Sequence, residues 1–281
     1  MEYFTMNNGV KMPMSGAGTF LFTPAEAEAS VLSALQSGVR LVDTALAYMN
    51  ERGVGRAIKK SGVPREEIFL VSKLWPTVYD DENAVDEMLV RLGTDYVDLL
   101  FLHQPTDNWK DGYRTIEKAV KEGKVRAIGL SNFSEEQIRE ANTEFELKPQ
   151  MVQVEAHPYF PQTELKKTLA GYGMGLMAWY PLGHGDKTLQ QQPVFQELAE
   201  KYKKTPAQII LRWHVQSGNV VIPGSKNPDH IRANGDIYDF ALTDDEMNAI
   251  AKVDCNKRYY YATPEQIQKY AEAEMDFNDQ E

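Results

Sequence analysis

Polar and ionisable residues stand at the carboxyl ends of a series of hydrophobic runs. In chain order they are Asp43, Lys73, His103, Ser131-Asn132, Gln153, Trp179-Tyr180 and Ser225. Aspartate, lysine and histidine side chains transfer protons, and a lysine also forms Schiff bases with carbonyl compounds. Each residue taken singly has a structural explanation, such as a loop start, a strand end that reaches solvent or a hydrogen-bonded histidine. Their recurrence at successive run ends predicts an active site.

The runs that carry these residues have the composition of a parallel sheet. Most are continuously apolar and β-branched, which is typical of strands buried on both faces. They cover residues 40–44, 68–74, 96–103, 125–131, 151–155, 175–180 and 219–223. Helix starts lie between them. A capping residue precedes proline at Thr23, Thr205 and Asn227, and capping boxes begin at Ser134 and Thr243.

Strand and helix alternate about eight times over ~250 residues, which predicts a (β/α)8 TIM barrel, an α/β fold, as one domain over residues 1–281. A doubly wound sheet uses the same units, but no linker divides the chain and no G-x-G-x-x-G follows the first run. In a barrel the run ends share one mouth. Residues 3–13, with Asn8-Gly9 at their centre, predict a hairpin that closes the bottom. The tail from Lys257 predicts a loop and a final helix.

The composition of the chain argues against several classes of binding partner. Asp and Glu number 41 against 30 Lys and Arg, so the net charge is −11, which argues against nucleic acid. No run approaches the ~18 apolar residues of a membrane helix, and the N-terminus lacks a signal peptide pattern. Cys255 is the single cysteine, and the five histidines lack metal-ligand spacing. We expect a cytoplasmic protein, by default a monomer, with no metal, membrane or nucleic-acid partner.

Six motifs in order resemble those of the aldo-keto reductase family. They are GVRLVDTALAY at 38–48, VSKLW at 71–75, LLFLH at 99–103, AIGLSNF at 127–133, QVEAHP at 153–158 and VIPGS at 221–225. One motif alone would be weak, but six in order are specific. The resemblance covers residues 9–254 and is greatest to bacterial 2,5-diketo-gluconate reductases and to methylglyoxal or general aldehyde reductases.

This resemblance implies NAD(P)H-dependent reduction of a carbonyl group by hydride transfer, with four catalytic residues. Tyr48 would be the general acid. A phenol with a pKa of about 10 is a poor donor unless positive charge favours its conjugate base, and Lys73 would supply that charge. Asp43 would hold the Lys73 ammonium, and His103 would hydrogen-bond and orient the carbonyl oxygen.

The resemblance also implies a nicotinamide site. Ser131, Asn132 and Gln153 would bind the carboxamide, and Trp179 would stack on the ring. Tyr180 stands where the family often has a serine near the pyrophosphate.

The loop that would cover the pyrophosphate contains Leu182 and Asp186. The lysine that usually faces the aspartate of this loop in the family is replaced here by Leu21. We therefore expect looser cofactor exchange.

The adenosine end departs from the family pattern. Gly224 and His230 replace the lysine and arginine that help bind the 2′-phosphate of NADPH. Ser225, Lys226 and Asn234 remain near a helix start that favours anions. Lys226 could replace part of the lost charge. NADPH is expected as the family default, and NADH or dual use stays open.

Phe20 and Trp75, with the Tyr48/His103 pair, would line the substrate pocket. The segment after His103 is shorter than the corresponding loop of steroid- and aldose-reducing relatives. Gln104 stands where the family more usually has a tryptophan. This predicts a shallow, wet site for small aldehydes, ketones, dicarbonyls or keto sugars. Two other functions stay open: a nucleotide-binding sensor with slow turnover, and a Schiff-base enzyme that uses Lys73.

Overall fold

The computed structural model describes residues 1–281 and contains ten strands in two sheets. Eight parallel strands follow chain order, and a two-stranded antiparallel hairpin precedes them. The strands are β1 (Tyr3–Thr5), β2 (Lys11–Pro13), β3 (Ala17–Gly18), β4 (Leu41–Asp43), β5 (Phe69–Leu74), β6 (Leu99–Leu102), β7 (Ile128–Ser131), β8 (Met151–Glu155), β9 (Gly175–Trp179) and β10 (Asn219–Val221).

The sheet closes on itself where β3 meets β10. Ser15 forms a parallel bridge with Val221, and the Gly16 N–H donates to the Val221 carbonyl at 2.9 Å. The predicted (β/α)8 barrel is therefore confirmed. Its first strand, β3, was absent from the hydrophobic runs because it is only two residues long. A Cβ at Gly18 would lie 2.7 Å from the Ile222 carbonyl oxygen, so the closing strands approach too closely for a side chain there.

Helices surround the barrel, and the predicted caps begin five of them. Thr23, Ser134, Thr205 and Thr243 form capping boxes, and Asn227 accepts a hydrogen bond from a first-turn amide. The helices are α1 (Pro24–Gln36), α2 (Glu51–Ser61), α3 (Ala84–Leu92), α4 (Trp109–Lys121), α5 (Glu135–Glu144), α6 (Thr163–Gly171), α7 (Lys187–Gln190), α8 (Pro193–Tyr202), α9 (Pro206–Gln216), α10 (Pro228–Gly235), α11 (Asp244–Ala251) and α12 (Pro264–Glu272).

The hairpin closes the bottom of the barrel, as predicted. Its Met6 and Met12 are buried with the inward-facing residues of the strands. The Asn7 side chain donates to the Pro149 carbonyl at 3.1 Å, just before β8 begins. The inner core that the two methionines join contains Leu41, Phe69, Val71, Leu99, Phe101, Ala127, Met151, Met177, Val220 and Ile222.

The tail forms the predicted loop and final helix, and it crosses the open end of the barrel. It leaves α11 beside Tyr159, whose carbonyl accepts from the Lys257 N–H at 3.1 Å. It ends at α2, where the Arg52 N–H donates to the Gln280 side chain at 3.2 Å. The tail therefore runs from the β8 side of the mouth to the β4 side.

No helix of the structure has both the length and the hydropathy that crossing a bilayer requires.

Candidate active site

A buried ion pair between β4 and β5 forms the floor of the mouth. Asp43 is the register partner of Val71, so Lys73, two residues further, lies on the same inward face one level nearer the mouth. The Lys73 Nζ donates to Asp43 Oδ1 at 2.7 Å and to the Thr44 carbonyl at 2.9 Å. Burial lowers the pKa of Lys73, and the Asp43 charge opposes that decrease. Lys73 is fully buried and bonded on two sides, which does not favour a Schiff base at this amine.

Tyr48 ends a single 3₁₀ turn, Leu46–Tyr48, directly above this pair. The Lys73 Nζ lies 4.8 Å from the centre of the Tyr48 ring. Burial raises the pKa of Tyr48 well above its usual range, and the charges of Asp43 and Tyr180 raise it further. The shift is therefore upward, opposite in direction to the decrease expected from Lys73. The phenol is fully protonated near neutral pH.

His103 follows β6 and faces Tyr48 across the mouth. Its ring centre lies 5.7 Å from that of Tyr48 and 5.2 Å from that of Trp75, both edge to face. Burial, followed by the positive charge of Lys73, lowers the pKa of His103 well below its usual value, so the imidazole is neutral. Its Nδ1 is buried without a hydrogen-bond partner. Phe20 packs on the other side of Tyr48, with 5.2 Å between ring centres.

The residues expected at the nicotinamide lie beside this cluster. Ser131 and Gln153 are register partners on β7 and β8. The Gln153 Nε2 donates to Asp43 Oδ2 at 2.9 Å, so Gln153 is tied to the ion pair. Asn132 has a positive φ of 65°, and its Oδ1 accepts from the Trp179 Nε1 at 3.1 Å. This bond fixes the orientation of the Trp179 ring at the end of β9.

The loop after β9 is held by two residues of the tail, and the looser cofactor exchange expected from Leu21 stays a prediction. Asp186 Oδ2 accepts from the Lys257 Nζ at 2.6 Å and from the Tyr259 hydroxyl at 2.7 Å. The Lys257 hydrogen bond is the largest cause of the lowered pKa of Asp186. Leu21 is 74% exposed and takes no part. Leu182 is partly buried and packs against two hydrophobic clusters, so its side chain has a packing role.

Tyr180 fills the space beside this loop. Its ring stacks on His184 at 4.0 Å and approaches Phe20 at 6.5 Å between ring centres. An aromatic side chain therefore stands where the family often has a serine, and it extends toward Phe20 in the loop after β3.

At the adenosine end the expected cation is already paired. The Lys226 Nζ donates to Glu26 Oε1 at 2.7 Å and lies 5.3 Å from the centre of the Phe22 ring. Ser225 Oγ accepts from the Asn227 N–H at 3.1 Å at the start of α10. A Cβ at Gly224 would lie 3.0 Å from the Gly18 carbonyl oxygen and 3.6 Å from Phe22, which gives a steric reason for glycine there.

The other two expected adenosine-site residues lie on α10. His230 is exposed on its first turn, and Asn234 is partly buried near its end. Asn234 lines a small cavity with Ser225 between α1 and α10. The four expected residues therefore lie together at the α10 end of the mouth.

The sequence did not reveal two tail tyrosines that line the mouth. The Tyr260 ring stands edge to face on Trp179 at 5.5 Å, and the Tyr270 ring stands edge to face on Trp75 at 5.3 Å. Their hydroxyl oxygens are 3.2 Å apart. The only sequence signal was the run of three tyrosines at 259–261 in an otherwise polar tail.

No group of three or more His, Cys, Asp or Glu side chains is arranged to hold a metal ion.

Comparison with known proteins identifies the family that this chain resembles. The family model described as Aldo/keto reductase family matches residues 14–254. A glyoxal reductase of Bacillus subtilis is 43% identical over 258 residues, covering 90% of this chain and 93% of that protein. An aldo-keto reductase of Mycolicibacterium smegmatis is 43% identical over 261 residues, covering 90% and 94%. The crystal structure of a Bombyx mori aldo-keto reductase in complex with NADP has a TM-score of 0.85 and 30% identity, covering 92% of this chain and 94% of that one.

The chain belongs to the aldo/keto reductase family. It is an oxidoreductase that acts on carbonyl groups.

Proposed function

We propose that this protein reduces small aldehydes and ketones, dicarbonyls and keto sugars among them, with NADPH or NADH as the reductant and Tyr48 as the general acid. The observation that carries the proposal is the pairing of Tyr48 and His103 above the Lys73–Asp43 ion pair. A protonated phenol and a neutral imidazole face the same space, and the pair beneath them is sealed from solvent. The similarity to a glyoxal reductase supports small carbonyl substrates.

Each of the four residues has a separate task. Tyr48 is protonated near neutral pH and donates its proton to the carbonyl oxygen. The donation leaves a phenolate, for which the Lys73 ammonium at 4.8 Å from the ring is a neighbouring positive charge. Asp43 keeps that ammonium charged and in place. The neutral His103 ring donates one N–H to the carbonyl oxygen and so orients the substrate.

The residues beside the cluster fit a nicotinamide nucleotide. When bound, the reduced nucleotide supplies the hydride that reduces the carbonyl carbon. Gln153 donates to Asp43 through its amide nitrogen, which leaves its Oε1 as an acceptor for a carboxamide. The hydroxyl of Ser131, its register partner, adds a donor. Trp179, fixed by Asn132, offers a flat apolar face for the ring.

The residues expected at the adenosine end support NADPH and leave NADH open. The α10 start, Ser225 and Lys226 favour an anion at the adenosine end. The Bombyx mori neighbour is in complex with NADP. Glu26 competes for Lys226, however, and Gly224 and His230 supply no permanent charge. We therefore propose NADPH as the preferred cofactor with measurable use of NADH.

Neither alternative function gains support from a specific observation. The assignments to a single domain, to a monomer and to the cytoplasm stay predictions.

The test is the variant Tyr48→Phe, assayed with glyoxal, methylglyoxal and a keto sugar, with NADPH and NADH in parallel. Loss of the acid should lower kcat by about 10²–10⁴-fold, while the cofactor Kd stays within about twofold. Tyr261→Phe removes an exposed phenol and is the matched control. Retention by Tyr48→Phe of more than about a tenth of the wild-type kcat would mean that another group is the acid.

A further inference from the structure

Glu155 is a buried carboxylate at the last position of β8, and its hydrogen bonds lead into the tail. It is 1% exposed and is the register partner of Trp179. Its Oε1 accepts from the Tyr259 backbone N–H at 2.7 Å, and its Oε2 accepts from the Tyr260 backbone N–H at 3.1 Å. The remaining partner is His157 Nε2, 3.0 Å from Oε1. No lysine or arginine pairs with this carboxylate.

These donors explain why a carboxylate is tolerated there. A buried carboxylate has lost its hydration, and only hydrogen bonds to the charged oxygens compensate for the loss. Two of the three donors belong to the tail, so the carboxylate is satisfied only when residues 259–260 lie against the barrel. The second link of the same segment, Lys257 to Asp186, has a lysine side chain that is 46% exposed and is screened by solvent. Glu155 is therefore the stronger anchor.

The anchored segment carries an aromatic roof, which we define as Tyr260 and Tyr270 together with the rings they contact. Tyr260 contacts Trp179 on the β9 side, and Tyr270 contacts Trp75 on the β5 side. The hydroxyl oxygens of Tyr260 and Tyr270 are 3.2 Å apart, and this hydrogen bond joins the β9 side of the roof to its β5 side. The roof thus bridges the mouth from the expected nicotinamide platform to the expected substrate wall.

We propose that Glu155 is a positioning residue for carbonyl reduction, because it holds the Tyr259 and Tyr260 amides and thereby keeps the aromatic roof closed over the substrate pocket. The proposal rests on the proposed function in taking this mouth as the place where the carbonyl substrate binds. The Glu155 carboxylate bonds to the tail and to His157, and none of its hydrogen bonds goes to the Tyr48 cluster. Its effect is on substrate binding through Tyr260.

The direct test is Glu155→Gln in the full chain. The amide keeps the shape but offers one acceptor oxygen, so one tail N–H faces an NH₂ group. We expect backbone amide exchange in residues 256–272 to accelerate by roughly 10- to 100-fold, with exchange in the barrel strands unchanged. The KM for methylglyoxal should rise by about tenfold, while kcat and the cofactor Kd change by less than about twofold. Glu274→Gln, an exposed change of the same charge in the same tail, is the control and should change none of these.

A second variant, Tyr260→Leu, removes the ring but keeps the backbone N–H that binds Glu155. It should raise the KM by a similar factor without accelerating tail exchange. Unchanged tail exchange in Glu155→Gln, or exchange that rises throughout the barrel, would overturn the proposal. An unchanged KM in Tyr260→Leu would overturn it as well, even if Glu155→Gln does not fold. If the wild-type enzyme reduces none of the carbonyls, the proposed function fails, and the exchange data still decide whether Glu155 anchors the tail.

Discussion

Replacing Asp43 with asparagine tests the ion pair on which the proposed acid depends. Asp43 is 1% exposed and uses both oxygens, Oδ1 for the Lys73 ammonium and Oδ2 for the Gln153 amide. An asparagine has one acceptor oxygen, so either Lys73 or Gln153 faces an NH₂ group. In both cases the fully buried Lys73 ammonium has lost its carboxylate, and the Thr44 carbonyl is its other acceptor.

The expected cost follows from that unpaired charge. Breaking a buried ion pair by removing one partner costs about 3–5 kcal/mol. Whole proteins have free energies of unfolding of about 5–15 kcal/mol, so the loss should be a large fraction of the total. The variant should also lose reductase activity, because a lysine that gives up its proton no longer stabilises a Tyr48 phenolate.

The loss of unfolding free energy in Asp43→Asn should depend on pH in a definite direction. Burial already lowers the pKa of Lys73, and loss of Asp43 removes the charge that opposes this decrease. Between the lowered folded-state pKa and the unfolded value of about 10.4, the unfolded chain binds more protons than the folded one. Stability then rises with pH in that window. The deficit of Asp43→Asn relative to the wild type should therefore shrink as the pH is raised from neutral toward 10.

The assay is urea unfolding of both proteins across this pH range. Asp86→Asn, which breaks the exposed pair with Lys124, is the control and should change the free energy of unfolding far less. A loss below about 1 kcal/mol for Asp43→Asn at neutral pH would refute the argument, since that is the range of an exposed pair. A deficit that grows with pH would refute it equally.

Two further predictions concern the cofactor. Glu26→Gln frees Lys226 and should raise the ratio of kcat/KM for NADPH over NADH by up to about fivefold, whereas Lys226→Met should lower it; an unchanged ratio in both would place the 2′-phosphate elsewhere. Lys257→Met removes the tail bond to Asp186 and should accelerate NADPH release by up to about fivefold in stopped-flow fluorescence, whereas Lys269→Met on α12 should not. Slower release from Lys257→Met would contradict a latch at this position.

Much of the barrel could be predicted because its signals are local. Buried parallel strands are continuously apolar, so the residue that ends each strand could be located from the sequence. The register of β4 and β5 then brings Asp43 and Lys73 together. The first strand escaped for a physical reason: a two-residue strand with glycine on both sides of Ala17 has no apolar run to recognise.

The contacts of the tail could not be predicted, because they join residues far apart in sequence without any periodic pattern. Lys257 meets Asp186, 71 residues earlier, and Tyr259 meets Glu155, 104 residues earlier. The pKa of Tyr48 also depended on distances unknown from the sequence. Lys73 lies 2.7 Å from the Asp43 carboxylate but 4.8 Å from the Tyr48 ring centre, and burial is the largest cause of the raised pKa of Tyr48.

The acidic composition is reconciled with an anionic cofactor by where the cations are paired. At the expected nucleotide site, Lys226 and Lys257 each bond to a carboxylate. Both lysine side chains are about half exposed, so exchanging the carboxylate for a phosphate costs little. The net charge of −11 therefore does not exclude NADPH. When a phosphate binds, each lysine exchanges its carboxylate partner for the phosphate. The discrimination between NADPH and NADH should therefore be small.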